Sequence, residues 1–139
     1  MKILLVTIAM CLTNGALAQT GVEMMHLKIN QDESQMQTIR GFYKHVMGLS
    51  IYEVPGEITR DFIKFDNGQR LNLIYMAADK VPSDDAFMKG LWIRIETSRF
   101  EEIRRNVVRG ETKIIKEVPG KELYFQAPGG QVWRMVKKE

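Results

Sequence analysis

The sequence predicts an α+β domain of two tandem βαβββ units. Three observations lead there. Strand-like and helix-like hydrophobic periods follow one another in the same order twice, turn dipeptides punctuate both halves, and 139 residues suffice for one core but not two. A hydrophobic content of 45% against 27% charged residues is that of a packed chain rather than a disordered one.

The first stretch differs from all that follows. Met1 and Lys2 make a short positive start, Ile3 to Leu12 is almost unbroken apolar, and Ala16-Leu17-Ala18 closes the run. This pattern predicts a secretory signal over residues 1–18 and a single domain over 19–139, exported to the periplasm or the extracellular space. The apolar run is too short to span a bilayer, so no membrane attachment is expected after cleavage. Cleavage removes Lys2 and no acid, which lowers the formal charge from +3 to +2. It also removes Cys11, the only cysteine, and so excludes disulfides, thiol nucleophiles and cysteine-bound metals from the mature protein. Acidic residues are interspersed among the basic ones throughout. No basic face for nucleic acid is predicted, and Lys137-Lys138 reads as a solvated tail.

Residues 24–30 alternate, with Leu27 and Ile29 on one side and His26, Lys28 and Asn30 on the other, as a half-buried strand does. From Gln35 the spacing becomes helical through Met36, Ile39, Tyr43 and Val46, with Ser34 placed to cap the start and Gly48 after the end. Asp32 and Glu33 favour the positive end of that helix, and His45 beside Lys44 reads as a surface residue. Strand-like runs follow at Ile51–Val54, Phe62–Phe65 and Leu71–Met76, separated by Pro55-Gly56 and by Asn67-Gly68, a strong hairpin signal. Ala77 to Lys89 has the composition of a connecting loop. The order then repeats: a strand at Leu91–Glu96, a helix at Arg99–Val108 ended by Gly110, and strands at Lys113–Val118, Glu122–Gln126 and Gln131–Val136. One helix on four strands is too small a core to stand alone, so the two units are expected to associate about a pseudo-twofold axis.

Two segments within this order carry a family likeness. Gly41-Phe42-Tyr43-Lys44-His45-Val46-Met47-Gly48-Leu49 resembles the end of the first helix in the glyoxalase, bleomycin-resistance and extradiol-dioxygenase superfamily, the vicinal oxygen chelate proteins. Tyr124-Phe125-Gln126-Ala127-Pro128-Gly129-Gly130-Gln131-Val132-Trp133 is similar to the hairpin between that family's last two strands, with Ala127 where the family usually has Asp. The likeness covers nearly all of residues 22–139. It implies curved mixed sheets, with the helices on their outer face, around a cleft in which metal-dependent members bind one divalent ion through His and Glu on four strands. Carried over, those positions fall on His26, Asn72, the vicinity of Gly90, and Arg134. Guanidinium has only donors and stays protonated, so Arg134 cannot ligate a cation, and a lone His26 does not hold zinc or nickel. No metal and no cofactor is therefore expected.

The family positions also imply which strand faces line the cleft. His26, Lys28 and Asn30 share one face with Arg70, Asn72 and Ile74, while Trp92, Arg94 and Glu96 share one with Val132, Arg134 and Val136. The opposite faces, with Leu27, Ile29, Leu71, Leu73, Leu91, Ile93, Ile95, Trp133 and Met135, are expected to pack under the helices. The resulting site comprises His26, Lys28, Asn72, Trp92, Arg94, Glu96 and Arg134. In it Arg94 and Arg134 would clamp a carboxylate or phosphate, or else pair with Glu96 as a structural network, while Trp92 would stack on a flat group or serve at an interface. Two functions follow. The first is a metal-free protein that sequesters a small anionic or aromatic molecule, as in the bleomycin-resistance branch. The second is an enzyme similar to glyoxalases, epimerases or dioxygenases, with His26 as base or metal ligand. A homodimer is expected in either case.

Overall fold

In the computed structural model the described residues are 26–56 and 58–139; the expected leader lies outside them. Strand β1 (His26–Asp32) runs parallel to β4 (Arg70–Met76), which pairs antiparallel with β3 (Arg60–Lys64), and β3 pairs with β2 (Ile51–Val54). The second half repeats the pattern. β5 (Trp92–Thr97) is parallel to β8 (Val132–Lys137), followed by β7 (Glu122–Gln126) and β6 (Lys113–Val118). The two sheets, ordered β1-β4-β3-β2 and β5-β8-β7-β6, are the duplicated βαβββ architecture that the alternating periods predict.

Period-two patterning sets the register of both sheets. Ile29, Leu71 and Leu73 in the first sheet, and Ile93, Trp133 and Met135 in the second, are buried on the helix side, and Leu27 and Ile95 are half-buried against them. Leu91 does not join them. β5 begins one residue later, and Leu91 sits in the connection after Gly90 with 56% of its surface exposed. Val132, expected on the cleft face, is fully buried.

The first helix is built in three parts. A 3₁₀ turn (Glu33–Gln35) leads into α1 (Met36–Gly41), which continues as a π turn over Phe42–Val46. The cap is Asp32 rather than Ser34. Because the chain coils directly on leaving β1, the Asp32 carboxylate accepts from the Ser34 N–H at 2.9 Å and from its hydroxyl at 2.7 Å. The widened turn, closed by Met47 N–H to Phe42 C=O at 3.1 Å, buries the adjacent rings of Phe42 and Tyr43 together. Phe42 meets Phe125 at 6.1 Å and Tyr43 meets Trp133 at 5.8 Å, so the first unit's helix packs on the second unit's sheet. Helix α3 (Phe100–Arg109) completes the layer through Phe100, Ile103 and Val107, and Asn106 donates to Val46 C=O at 3.3 Å.

The segment from Ala77 to Lys89 is more ordered than its composition suggests. It contains a 3₁₀ turn at Ala78–Lys80 and helix α2 (Asp84–Lys89), capped by Ser83 accepting from Ala86 N–H at 3.2 Å and anchored by buried Phe87. No helix among the described residues is long and apolar enough to cross a membrane.

An ion network under α1 was not evident from hydrophobic periods. Asp61 on β3 is wholly buried and accepts from Arg40 Nε at 2.7 Å, Arg40 Nη2 at 2.8 Å and the Tyr75 hydroxyl at 2.9 Å. The bidentate geometry satisfies both carboxylate oxygens, which is what makes burial of that charge tolerable. Burial, and then the neighbouring carboxylate, push the Tyr75 phenol well above its ordinary range.

Candidate functional site

The exposed face of the second sheet gathers the clearest constellation. Tyr124 pairs directly with Arg134 across β7 and β8, and Trp92 at the start of β5 meets Tyr124 edge to face at 5.9 Å. The Trp92 indole N–H donates to Met88 C=O at 2.8 Å, which locks the ring while leaving 41% of the residue exposed. Arg134 lies 5.5 Å and Lys116 5.7 Å from the Tyr124 ring centre, one from each flanking strand. The result is an open aromatic platform framed by cations.

The cations are not equally free. Arg134 Nη2 bonds Glu122 at 2.6 Å, and the Tyr124 hydroxyl donates to the other oxygen of Glu122 at 2.5 Å. Arg134, then Tyr124, hold the Glu122 carboxyl below its usual range, and the bond to Glu122 raises the Tyr124 phenol. Arg94 is paired with Glu96 on the same strand face. Arg94 and Arg134 face one another across the β5–β8 pair, so each has its own acid and neither forms a bare clamp. Lys116 makes no direct ion pair among the described residues.

The other expected site residues lie outside the platform, with Arg94 adjoining it beside Arg134 in the β5–β8 register. His26 opens β1 opposite Arg70, and its side chain lies outside the described residues. Lys28 is exposed and lines a shallow cavity of about 290 Å³ with Asn30, Phe87 and Leu91. Asn72 spends its amide on Leu27 C=O at 3.3 Å, bridging β4 to β1. Arg94 and Glu96 line a larger cavity of about 680 Å³, together with Arg70 and Lys64. Sequence reasoning missed Tyr124, Glu122 and Lys116. Tyr124 was legible as the outward residue between inward Leu123 and Phe125; the diagonal Glu122–Arg134 contact needed the β7–β8 register.

Gly90 closes α2, outside β5, so the third metal position of the family supplies no ligand. Of the four positions that the resemblance implies, Asn72, Gly90 and Arg134 carry neither imidazole nor carboxylate. Among the described residues, no three His, Cys, Asp or Glu side chains are grouped to hold one.

No family model matches the sequence, and no curated protein does either. Solved structures match the fold. An integron cassette protein from Vibrio cholerae superposes with a TM-score of 0.61 at 17% identity, over 84% of this chain and 94% of its own. The fosfomycin resistance protein FosX of Listeria monocytogenes gives 0.61 at 10% identity, over 84% and 90%. TnmS3, an antibiotic-binding protein from a Streptomyces species, gives 0.59 at 15% identity, over 88% and 99%. With its two sheets in identical strand order and its helices on their buried side, the chain has the paired βαβββ fold of the vicinal oxygen chelate proteins.

Proposed function

We propose that this is an exported, metal-independent binding protein that holds a small planar anionic molecule on the Trp92–Tyr124 platform. The carrying observation is the locked, half-open Trp92 ring set at an angle to Tyr124, with Lys116 and Arg134 at its border. Two rings held in place lose little conformational freedom on binding, and a flat ligand adds contact area without rearranging them. Lys116 supplies a charge that makes no direct ion pair among the described residues. Arg134 contributes its remaining donors while Glu122 rejects ligands that carry anions on that side.

Among the fold's relatives, TnmS3 is described as an antibiotic-binding protein, and a FosX variant as a complex with Mn(II) and dihydroxypropylphosphonic acid. The donor set here favours the former comparison: Arg134 stands where a metal-binding member needs a carboxylate, and it is already bonded to Glu122. Export rests on the apolar leader ending at Ala18, and action as a homodimer on the size of the domain.

Tryptophan fluorescence tests the reading, because Trp133 is fully buried and Trp92 is not. Titration with a panel of aromatic carboxylates and planar antibiotics is expected to quench Trp92 with a one-to-one isotherm. Trp92→Ala abolishes the signal, and Lys116→Gln weakens binding about tenfold, or about 1.4 kcal/mol. One equivalent of tightly bound manganese, nickel or zinc in the purified protein, lost in His26→Ala, would sink this proposal in favour of a metal-dependent enzyme.

A further inference from the structure

Acids and bases alternate along the chain, but strand parity sorts them in space. The strands of the first sheet carry four lysines and arginines, Lys28, Arg60, Lys64 and Arg70. All four leave the face turned away from the helices, each beside a residue such as Ile29, Asp61, Ile63 or Leu71 that is buried on the other side. The acids of the same strands are engaged elsewhere. Asp61 is buried against Arg40 beneath α1, Glu53 reaches Arg40 from β2 at 3.2 Å, and Asp32 caps the first helix. Asp66, in the turn after β3, acts on Arg99. None of the four cations makes an ion pair among the described residues, whereas on the second sheet Arg94 is answered by Glu96 and Arg134 by Glu122.

The same face carries aromatic rings. Register aligns Lys28, Asn72, Phe62 and Tyr52 in one row across the four strands. The Tyr52 and Phe62 rings stack at 4.8 Å and 16°, and Arg70 approaches Phe62 from the other flanking strand, 5.0 Å from its ring centre. Tyr52, on the edge strand, keeps 46% of its surface exposed, and Arg70 Nε has no hydrogen-bond partner among the described residues. A strand rises about 3.4 Å per residue and neighbouring strands lie about 4.8 Å apart, so Arg60 and Lys64 are about 14 Å apart along β3, and Lys28 is about 10 Å from that strand across the sheet. One compact anion cannot reach all of these charges. A chain with a negative charge on every repeat can, and if its repeats also carry flat rings it extends the Tyr52–Phe62 stack.

We propose that this face is a docking surface for single-stranded nucleic acid, with phosphates on Lys28, Arg60, Lys64 and Arg70 and a base on the open ring of Tyr52. No basic face was evident from the sequence because Asp61 adjoins Arg60 along the chain but lies on the opposite side of the sheet. The surface makes no use of Trp92, Tyr124 or Lys116, and stands or falls independently of the platform they form.

A fluorescein-labelled oligothymidylate of about 15 nucleotides is titrated with the purified full chain, and anisotropy is recorded between about 50 and 200 mM salt. Binding is expected, with log K falling against log salt at a slope of about −3, the value for four phosphate contacts on a single strand. Arg60→Gln and Lys64→Gln are each expected to weaken it about threefold or more at low salt and to reduce the slope by about 0.7. Tyr52→Ala is expected to weaken it about tenfold with the slope unchanged. Arg60, Lys64 and Tyr52 are all exposed, so these variants are expected to keep the fold. Lys44→Gln, at an exposed lysine on the helix side, is expected to bind as the parent does. No binding at the lowest salt overturns the proposal, as does unchanged binding in both cation variants. Dextran sulfate bound at least as tightly as the oligonucleotide, with Tyr52→Ala without effect on either, overturns it in favour of an anionic polysaccharide.

Discussion

Tyr43, on the first unit's helix, meets Trp133, on the last strand of the second unit, edge to face at 5.8 Å, and its hydroxyl accepts the buried indole N–H at 3.4 Å. Both residues are fully buried, and that burial pushes the Tyr43 phenol well above its ordinary range. Tyr43→Phe keeps the ring and strands one indole donor, so we expect a loss of about 1 kcal/mol. Tyr43→Ala also opens a cavity between the units, with an expected loss of about 3 to 5 kcal/mol. Urea denaturation of both variants checks the ordering.

Asp61 is a partner common to Arg40 and Tyr75 beneath α1. Asp61→Asn leaves the Arg40 guanidinium facing a neutral amide, and the expected destabilisation is about 3 kcal/mol. In that variant Arg40 keeps its contact with the exposed Glu53 carboxylate at 3.2 Å, whereas replacing both members, as in Arg40→Met with Asp61→Leu, removes the half-buried charge as well. The double variant is expected to be more stable than Asp61→Asn; a double-mutant cycle in urea measures the difference.

Glu122 gives the protein an acid-dependent increment of stability. Arg134 and Tyr124 depress its pKa in the folded state relative to the ordinary value of 4.5, so the increment is present above that range and is lost as pH falls through the depressed value. Glu122→Gln is expected to be less stable than the parent at neutral pH, with the gap closing as both are acidified below pH 4.5. A gap constant from neutral pH down to strong acid would show that the pair contributes nothing through its charge.

Gly129 has φ at +83°, and a Cβ there would sit 1.8 Å from Gln31 Oε1 and 2.9 Å from Ile39 Cδ1. Gly129→Ala therefore forces a buried glutamine and a core isoleucine aside in the other unit. The expected loss is about 2 to 3 kcal/mol, read as a lowered thermal midpoint. Gly120, also at positive φ but with nothing near its Cβ position, is expected to lose about 1 kcal/mol on the same substitution.

Elements with a strong hydrophobic period were readable from the sequence because burial imposes that period. The alternation of Leu27 with Ile29 and of Leu71 with Leu73 identified both faces of the first sheet, and Phe100, Ile103 and Val107 marked α3. Helix α2 escaped because six residues carry one buried side chain, Phe87, too few for a period to show; its signal was the Ser83 cap followed by Asp84 and Asp85. The π turn at Phe42–Val46 has no local signature, being imposed by rings from the other unit. Within the site, the sequence placed Trp92 and Arg134 on one outward face, but Glu122 and Tyr124 reach Arg134 only through the register of strands remote in the chain. Arg70 was placed on the correct face without a role, since a missing partner is visible only when its surroundings are.

The crossing of Phe42 and Tyr43 onto the second sheet bears on how a duplicated chain melts. Each half, synthesised alone, would expose the aromatic surface that its counterpart covers, and neither has a spare helix to cover it. The repeats therefore do not form a modular pair of the kind that unravels one unit at a time. Loss of either sheet removes the lid of the other, and calorimetry should record a single cooperative transition whose van't Hoff and calorimetric enthalpies agree.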